Sequence, residues 1–455
     1  MVAIHVAFGC DETIRLRTDT EDAVDCPCRL TPEHVEAMLG PTSTGASAGP
    51  LAGVRVLDCS TMIAAPSTAA MLGDFGAEVV KLERPGSGDH VRRYGAQKNG
   101  IGLYWKALGR NKKSVALDLH VPAVQALLLR WLPQFDIFIE NFRPGTLERW
   151  NLGPERLLGA APQLVILRVT AFGQDGPYRD RAGFGTLAEA MTGVAAVSGY
   201  DDRPPLLPAF PLADVMAGQA ATAAVCAAYA RRLRTGDGEV IDFAIYESVM
   251  KLVESQITEY AANGTLHRRM GSRMDDTAPR GAYRCGDGAY VALSGSTQEV
   301  AERVLGTIGG DALVADPRFA TNANRVANGA ALDELIDAFC ANRTRDDAIA
   351  VFTGAGCAVG PLESIASVFE NPQIVARGSL ARLADPDLGE IVVSNAFPRF
   401  AHAGSPRLEP GPTAVGAHTA EVLRHDLGLR EKDLRDLERP DAAGPGDRDH
   451  GGPRT

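Results

Sequence analysis

Asp214 is the residue on which a chemical reading of this chain turns. It lies in PLADVMAG at 211–218, where the pattern places a loop entering a helix. An aspartate there can cap free backbone N–H groups, and the positive end of the helix favours its ionised form. The same carboxylate can serve as a nucleophile if a pocket lies in front of it. Residue type alone leaves both roles open. A second feature is the stretch from Lys81 to Lys113. It holds nine basic residues against two acidic ones, in a chain whose net charge is −11. Such a stretch can be a solvated surface, or a docking site where clustered Lys and Arg attract the phosphates of a small polyanion.

Other chemistries find little support. The nine histidines form no H-E-x-x-H pair, so no metal site is expected. His90 falls in the basic stretch and reads as a charged surface histidine. Ser60 and Ser294 lack the setting of a nucleophile elbow. Cys26 and Cys28 are separated by one proline, which is not the two-residue spacing of zinc or redox sites. Eight scattered cysteines suit reduced thiols in a cytoplasmic protein. The acidic balance argues against a nucleic-acid partner, and no uninterrupted apolar run reaches membrane-helix length.

The elements that must position Asp214 alternate in type. Apolar runs at 54–59, 78–83, 114–119, 136–141 and 164–170 read as strands, and 66–75 and 122–132 as helices between them. This rhythm predicts a mostly parallel sheet with helices on both faces and ligands at the strand C-termini. The first strand is followed by STMIAAP at 60–66, not by G-x-G-x-x-G, and no P-loop occurs. Ala- and Gly-rich helices are expected at 186–196 and 215–233, where small residues allow close packing within the chain or across a subunit interface. A strand at 239–243 and a helix at 246–260 follow, then a hairpin around CGDG at 285–288 that opens a new unit. A strand at 391–393 and a helix at 417–427 come late. Residues 1–48 read as an extension with one short helix at 32–39 capped by Thr31, and the chain from 429 onwards as a disordered tail.

Several short motifs then recur in one order. They are LAGVRVLD (51–58), LGDFGAEVVKLERPGSGD (72–89), NKKS (111–114), ENFRPG (140–145), GQDGP (173–177) and PLAD (211–214). With these the chain resembles the class III CoA-transferases, a group that also includes the α-methylacyl-CoA racemases. The resemblance implies an α/β fold: a Rossmann-like CoA-binding domain at 49–245, a linker helix at 246–265, and a small α+β domain at 266–355. A return segment at 356–428 would complete the large domain, and two chains would interlock as a homodimer. It implies CoA and acyl-CoA as substrates, with no permanently bound cofactor. Asp214 falls on the family's catalytic aspartate, which forms a mixed anhydride with the acyl group and then an aspartyl-CoA thioester. CoA contacts carry over onto Arg84, Lys112, Asn141 and Arg149, with backbone groups from Ile63 and Ala64.

Departures from the family pattern narrow the expectation. Racemases pair the aspartate with a histidine; the matching position here is Phe184, which cannot exchange a proton. The tyrosine and lysine of formyl-CoA transferase correspond to Gly185 and Gly183, and its glutamine after the first strand to Ile63. Oxalate and formate are therefore poor expected substrates, and a larger or less polar acyl group fits better. An intermolecular CoA-transferase is the leading expectation. Racemase or intramolecular CoA migration is the alternative, or an inactive subunit paired with an active homologue.

Overall fold

The computed structural model of the chain describes residues 49–433. The expected helix at 32–39 and most of the expected tail lie outside them.

Four of the apolar runs are buried almost end to end, as strands covered on both faces must be. They are β1 (Arg55–Asp58), β2 (Glu78–Glu83), β4 (Ile137–Glu140) and β5 (Val165–Thr170). With β3 (Lys112–Ala116) and β6 (Glu239–Ala244) they form one sheet in the order β3-β2-β1-β4-β5-β6. Every pairing in it is parallel. The order reverses between β1 and β4, so the crevice for a ligand opens beyond the C-terminal ends of those two strands.

One face of the sheet is covered by α1 (Ala64–Asp74) and by α4 (Leu212–Thr235). Ala213, Ala217, Ala221 and Val225 form the buried stripe of α4. Gly218 lets the two helices touch: a methyl group there would lie 2.6 Å from Ser67 Cβ and 2.9 Å from the Ala64 carbonyl oxygen. Thr68 Oγ1 donates to the Gly218 carbonyl at 3.1 Å. By length and hydropathy alone α4 could cross a membrane. Its small-residue stripe is instead packed on the sheet and on α1. The expected helix at 186–196 is broken in two: α3 spans Gly185–Met191, and Gly193, at φ +91°, starts a separate short helix. The expected helix at 246–260 is likewise divided, with α5 (Ile245–Met250) folding back towards α3 and α4.

The opposite face packs on α2 (Pro122–Trp131) and on the late helix α6 (Thr419–Leu427). Trp131 Nε1 and Arg55 Nη2 both donate to Asp426 Oδ2 at 2.7 Å, tying α6 to α2 and β1. The return also covers the free edge of β3. Ser114 N donates to His418 Nδ1 at 3.1 Å and Ala116 N to Thr419 Oγ1 at 2.9 Å.

A second, antiparallel sheet is built from β7 (Arg280–Arg284), β8 (Tyr290–Ser294) and β9 (Ala358–Pro361). The small unit therefore extends past its expected end at 355, because β9 pairs along β8 and completes this sheet. The late strand at 391–393 is part of a hairpin, β10 (Leu380–Asp385) with β11 (Gly389–Ser394), and does not join the main sheet.

Candidate active site

The loop after β1 supplies one wall of the crevice. Met62 adopts φ +69°, a left-handed conformation costing a β-carbon-bearing residue about 1–2 kcal/mol. It persists because side chains from four segments hold the loop. Asp58 Oδ1 accepts from Ser60 N at 3.0 Å, and Lys81 Nζ donates to the Ser60 carbonyl. Asn141 clamps Thr61 twice, accepting its N–H at 2.8 Å and donating to its carbonyl at 2.7 Å. Asp89 Oδ1 accepts from Met62 N at 3.0 Å. Helix α1 then begins with no side-chain cap, so its leading N–H groups are left without that partner.

Asp214 forms the facing wall. Helix α4 starts at Leu212, so Asp214 lies within its first turn and not at the junction before it. No side chain caps from the Pro211 position; the buried Glu189 reaches across to accept Ala213 N at 3.0 Å. Asp214 is thereby left to face elsewhere. Its carboxyl accepts the N–H of Gly185 at the start of α3. A methyl group on Gly185 would sit 2.8 Å from Asp214 Cγ, so only glycine lets the carboxyl come this close. Burial pushes the Asp214 carboxyl up to about 6; the Gly185 N–H opposes the shift and the nearby Glu189 adds to it. Among the described residues Asp214 has no ion-pair partner.

Between these walls lies a cavity of about 230 Å³. Ile63, Ala64, Asn141 and Asp214 line it together. Three other expected contacts do not. Arg84 stands exposed, 3.9 Å from Asp118, and Arg149 is exposed with Nη2 donating to Thr146 Oγ1 at 2.9 Å. Lys112, expected as a CoA contact, does not reach this cavity. Its side chain is 1% exposed, and its ammonium bonds Asp58 at 3.0 Å and the Pro66 carbonyl at 2.8 Å. Asn141 keeps its place in the lining, but both ends of its amide are taken by Thr61.

The basic stretch is largely internal. Lys81, Arg92 and Lys112 meet Asp58, Glu83 and Asp89 in a buried network of three cations and three anions. Lys106 is buried on Asp385, and Arg110 is paired with Asp74. Burial raises the Asp58 carboxyl, but Lys112, Lys81 and the Ser60 hydroxyl outweigh it and hold Asp58 below the usual carboxylate range. Burial also lowers the Lys112 ammonium, despite Asp58 beside it. Counting charge along the chain missed this because Asp58, Asp74 and Asp385 lie outside the stretch, on β1, on α1 and on β10.

Sequence reasoning also overlooked residues that do line the cavity: Arg143, Arg179, Arg181 and Phe172. The signal for the three arginines was present in ENFRPG and in the YRDR run at 178–181. Three guanidiniums make the space expected to suit a less polar acyl group a cationic one.

Comparison with known proteins places this geometry. A family described as CoA-transferase family III matches residues 51–419. The chain belongs to CoA-transferase family III. It is 40% identical over 390 residues to a succinyl-CoA–D-citramalate CoA-transferase of Chloroflexus aurantiacus, covering 86% of this chain and 97% of that one. It is 36% identical over 392 residues to the beta subunit of a succinyl-CoA–L-malate CoA-transferase from the same organism, covering 85% and 96%. A crystal structure of a CAIB/BAIF family protein from Brucella suis superimposes with a TM-score of 0.73 at 31% identity, over 83% of this chain and all of that one. The protein is thus a family III CoA-transferase, an enzyme whose chemistry works on acyl-CoA.

Proposed function

We propose that this enzyme moves CoA from a dicarboxylic acyl-CoA to a second dicarboxylic acid, with Asp214 carrying the acyl group. The supporting observation is the setting of Asp214: a carboxyl inside the cavity, without an ion-pair partner, anchored by one backbone N–H and raised to about 6. A carboxylate with that ionisation is largely charged at neutral pH, yet more basic than an exposed aspartate. The relatives named for succinyl-CoA, citramalate and malate all act on dicarboxylic acids, and the three cavity arginines suit such substrates.

The steps balance as follows. A carboxylate oxygen of Asp214 attacks the thioester carbonyl; the C–S bond breaks and CoA leaves as thiolate, giving a mixed anhydride. The thiolate attacks Asp214 Cγ and releases the donor acid, leaving an aspartyl-CoA thioester. The acceptor carboxylate attacks the same carbon, expels the thiolate and forms a second anhydride. Attack by the thiolate on the acceptor's carbonyl releases product and frees Asp214. Each intermediate conserves acyl activation, so no outside energy source is needed. Both are open to water, which a small enclosed site restricts. The clamped 60–63 loop and the start of α1 would receive the thiol end of CoA, and the exposed Arg84 and Arg149 its phosphates. Racemisation would need a second proton-exchanging group near the substrate, and Phe184 offers none.

We also propose that the enzyme works as a homodimer. Phe184, Leu206, Phe210 and Val215 are exposed apolar side chains near the site, and Leu233 is 70% exposed on α4. Arg382 carries buried Nε and Nη2 atoms without an acceptor among the described residues, beside a cavity of about 1030 Å³. A second chain would cover the first and complete the second. Light scattering on the purified protein tests this: a monomer at micromolar concentration contradicts it. The catalytic reading is tested by assaying succinyl-CoA against a panel of free acids. Transfer with ping-pong kinetics that Asp214→Ala abolishes is expected, and transfer surviving that change would overturn it.

A further inference from the structure

We infer that Arg181 receives the distal carboxylate of the dicarboxylic acyl group and so sets the enzyme's preference for diacids. The inference rests on the CoA-transfer reading above and adds a residue and a selection rule to it. Four observations carry it.

First, the charged side chains lining the cavity are Asp214 and the three arginines 143, 179 and 181. The nucleophile is therefore outnumbered by cations, which suits a substrate that brings a negative charge beyond the reacting carboxyl. Second, the three arginines differ in surroundings. Arg143 follows Asn141 in the loop beyond β4, on the side where the 60–63 loop is clamped. Arg179 is drawn to Asp180 at 3.5 Å. Arg181 has no ion-pair partner among the described residues, and its guanidinium stacks on the Tyr178 ring at 3.6 Å. Stacking occupies the flat face of the guanidinium and leaves its N–H edge for a carboxylate, which a planar fork grips in two places.

Third, the stacked pair is itself fixed. Tyr178 meets Phe172 edge-on at 5.8 Å, and Arg181 N donates to the Tyr178 carbonyl at 2.9 Å. Gln174 N is bonded by both oxygens of Asp242 on β6, at 3.2 and 3.1 Å. Fourth, Arg181 lies four residues before Gly185, whose N–H holds Asp214. Their Cα atoms are then at most about 14 Å apart along the chain. Arg181 and Asp214 also line the one cavity, and that limit leaves room for a four- or five-carbon diacid between the guanidinium and the carboxyl. Phe172, Ala182 and Phe184 line the same cavity and would flank the methylene groups.

The test compares two donors that differ at one end, succinyl-CoA and butyryl-CoA, with the same acceptor and with wild type, Arg181→Gln and Arg181→Lys. A lost charge-assisted pair predicts that kcat/KM for succinyl-CoA falls by about 10- to 100-fold in Arg181→Gln. The value for butyryl-CoA should stay within about threefold, and Arg181→Lys should restore part of the loss. Equal losses on both donors would assign Arg181 to CoA binding or to folding and overturn the inference. So would an unchanged succinyl-CoA value. If wild type moves CoA from neither donor to any acid tried, the catalytic reading fails first, which is a separate and recognisable result.

Discussion

Replacing Asp214 with asparagine should abolish turnover and yet stabilise the fold above pH 6. Asparagine keeps the shape and can still accept the Gly185 N–H, but carries no charge. The carboxyl of Asp214 rises from 3.8 to about 6 on folding. The ionised form is therefore disfavoured in the native state. The sign follows directly: the destabilisation is fully present above pH ~6, shrinks between ~6 and ~4, and vanishes where both states are protonated. Two pH units correspond to at most about 3 kcal/mol, and solvent at the cavity mouth reduces this to about 1–2 kcal/mol. In a chain of this size that is a rise of a few degrees in Tm. Thermal melts of both proteins at fixed ionic strength, from pH 4.5 to 8.5, read the effect. The gap should be largest at pH 8 and close as the solution is acidified. An asparagine variant less stable at pH 8, or a gap that ignores pH, would refute the claim that Asp214 is a buried, unpaired charge.

Other perturbations separate site from scaffold. The wild-type kcat/KM should rise about tenfold per pH unit below pH ~6 and level off above it, since only the carboxylate attacks. Gly185→Ala places a methyl group 2.8 Å from Asp214 Cγ and should cut kcat by about 10- to 100-fold, with the melting curve almost unmoved. Lys112→Ala leaves the buried Asp58 with Lys81, at 3.6 Å, as its one remaining ion-pair partner among the described residues, so a loss of about 3 kcal/mol in denaturant titration is expected. Arg84→Ala should instead raise the KM for acyl-CoA a few-fold with Tm unchanged, as its side chain is largely exposed. Gly218→Ala should destabilise by about 1–3 kcal/mol by forcing α1 and α4 apart.

The parallel sheet was legible because β1, β2, β4 and β5 each centre on adjacent Val, Ile, Leu or Phe residues, a pattern that survives without tertiary context. The family resemblance singled out Asp214, Ile63, Ala64 and Asn141, and the fold brings these four to one cavity. What could not be read was which charges face each other. Lys112 carries the same residue code whether it meets a phosphate or Asp58, and the partner lies 54 residues earlier. The cap of α4 was hidden for the same reason: Glu189 comes from another helix, 24 residues before Ala213, and frees Asp214 from that duty. The break between α3 and the helix after it depends on one left-handed glycine, Gly193, in an otherwise Ala-rich segment. The sheet was set by local pattern, and the site by long-range pairing.

The most direct test of the central claim is covalent capture. The enzyme is mixed with succinyl-CoA alone, quenched with hydroxylamine, digested and mapped by mass spectrometry. An aspartyl hydroxamate at Asp214, absent without donor, is the result predicted here. An unmodified Asp214 peptide from enzyme that still transfers CoA at full rate would contradict it.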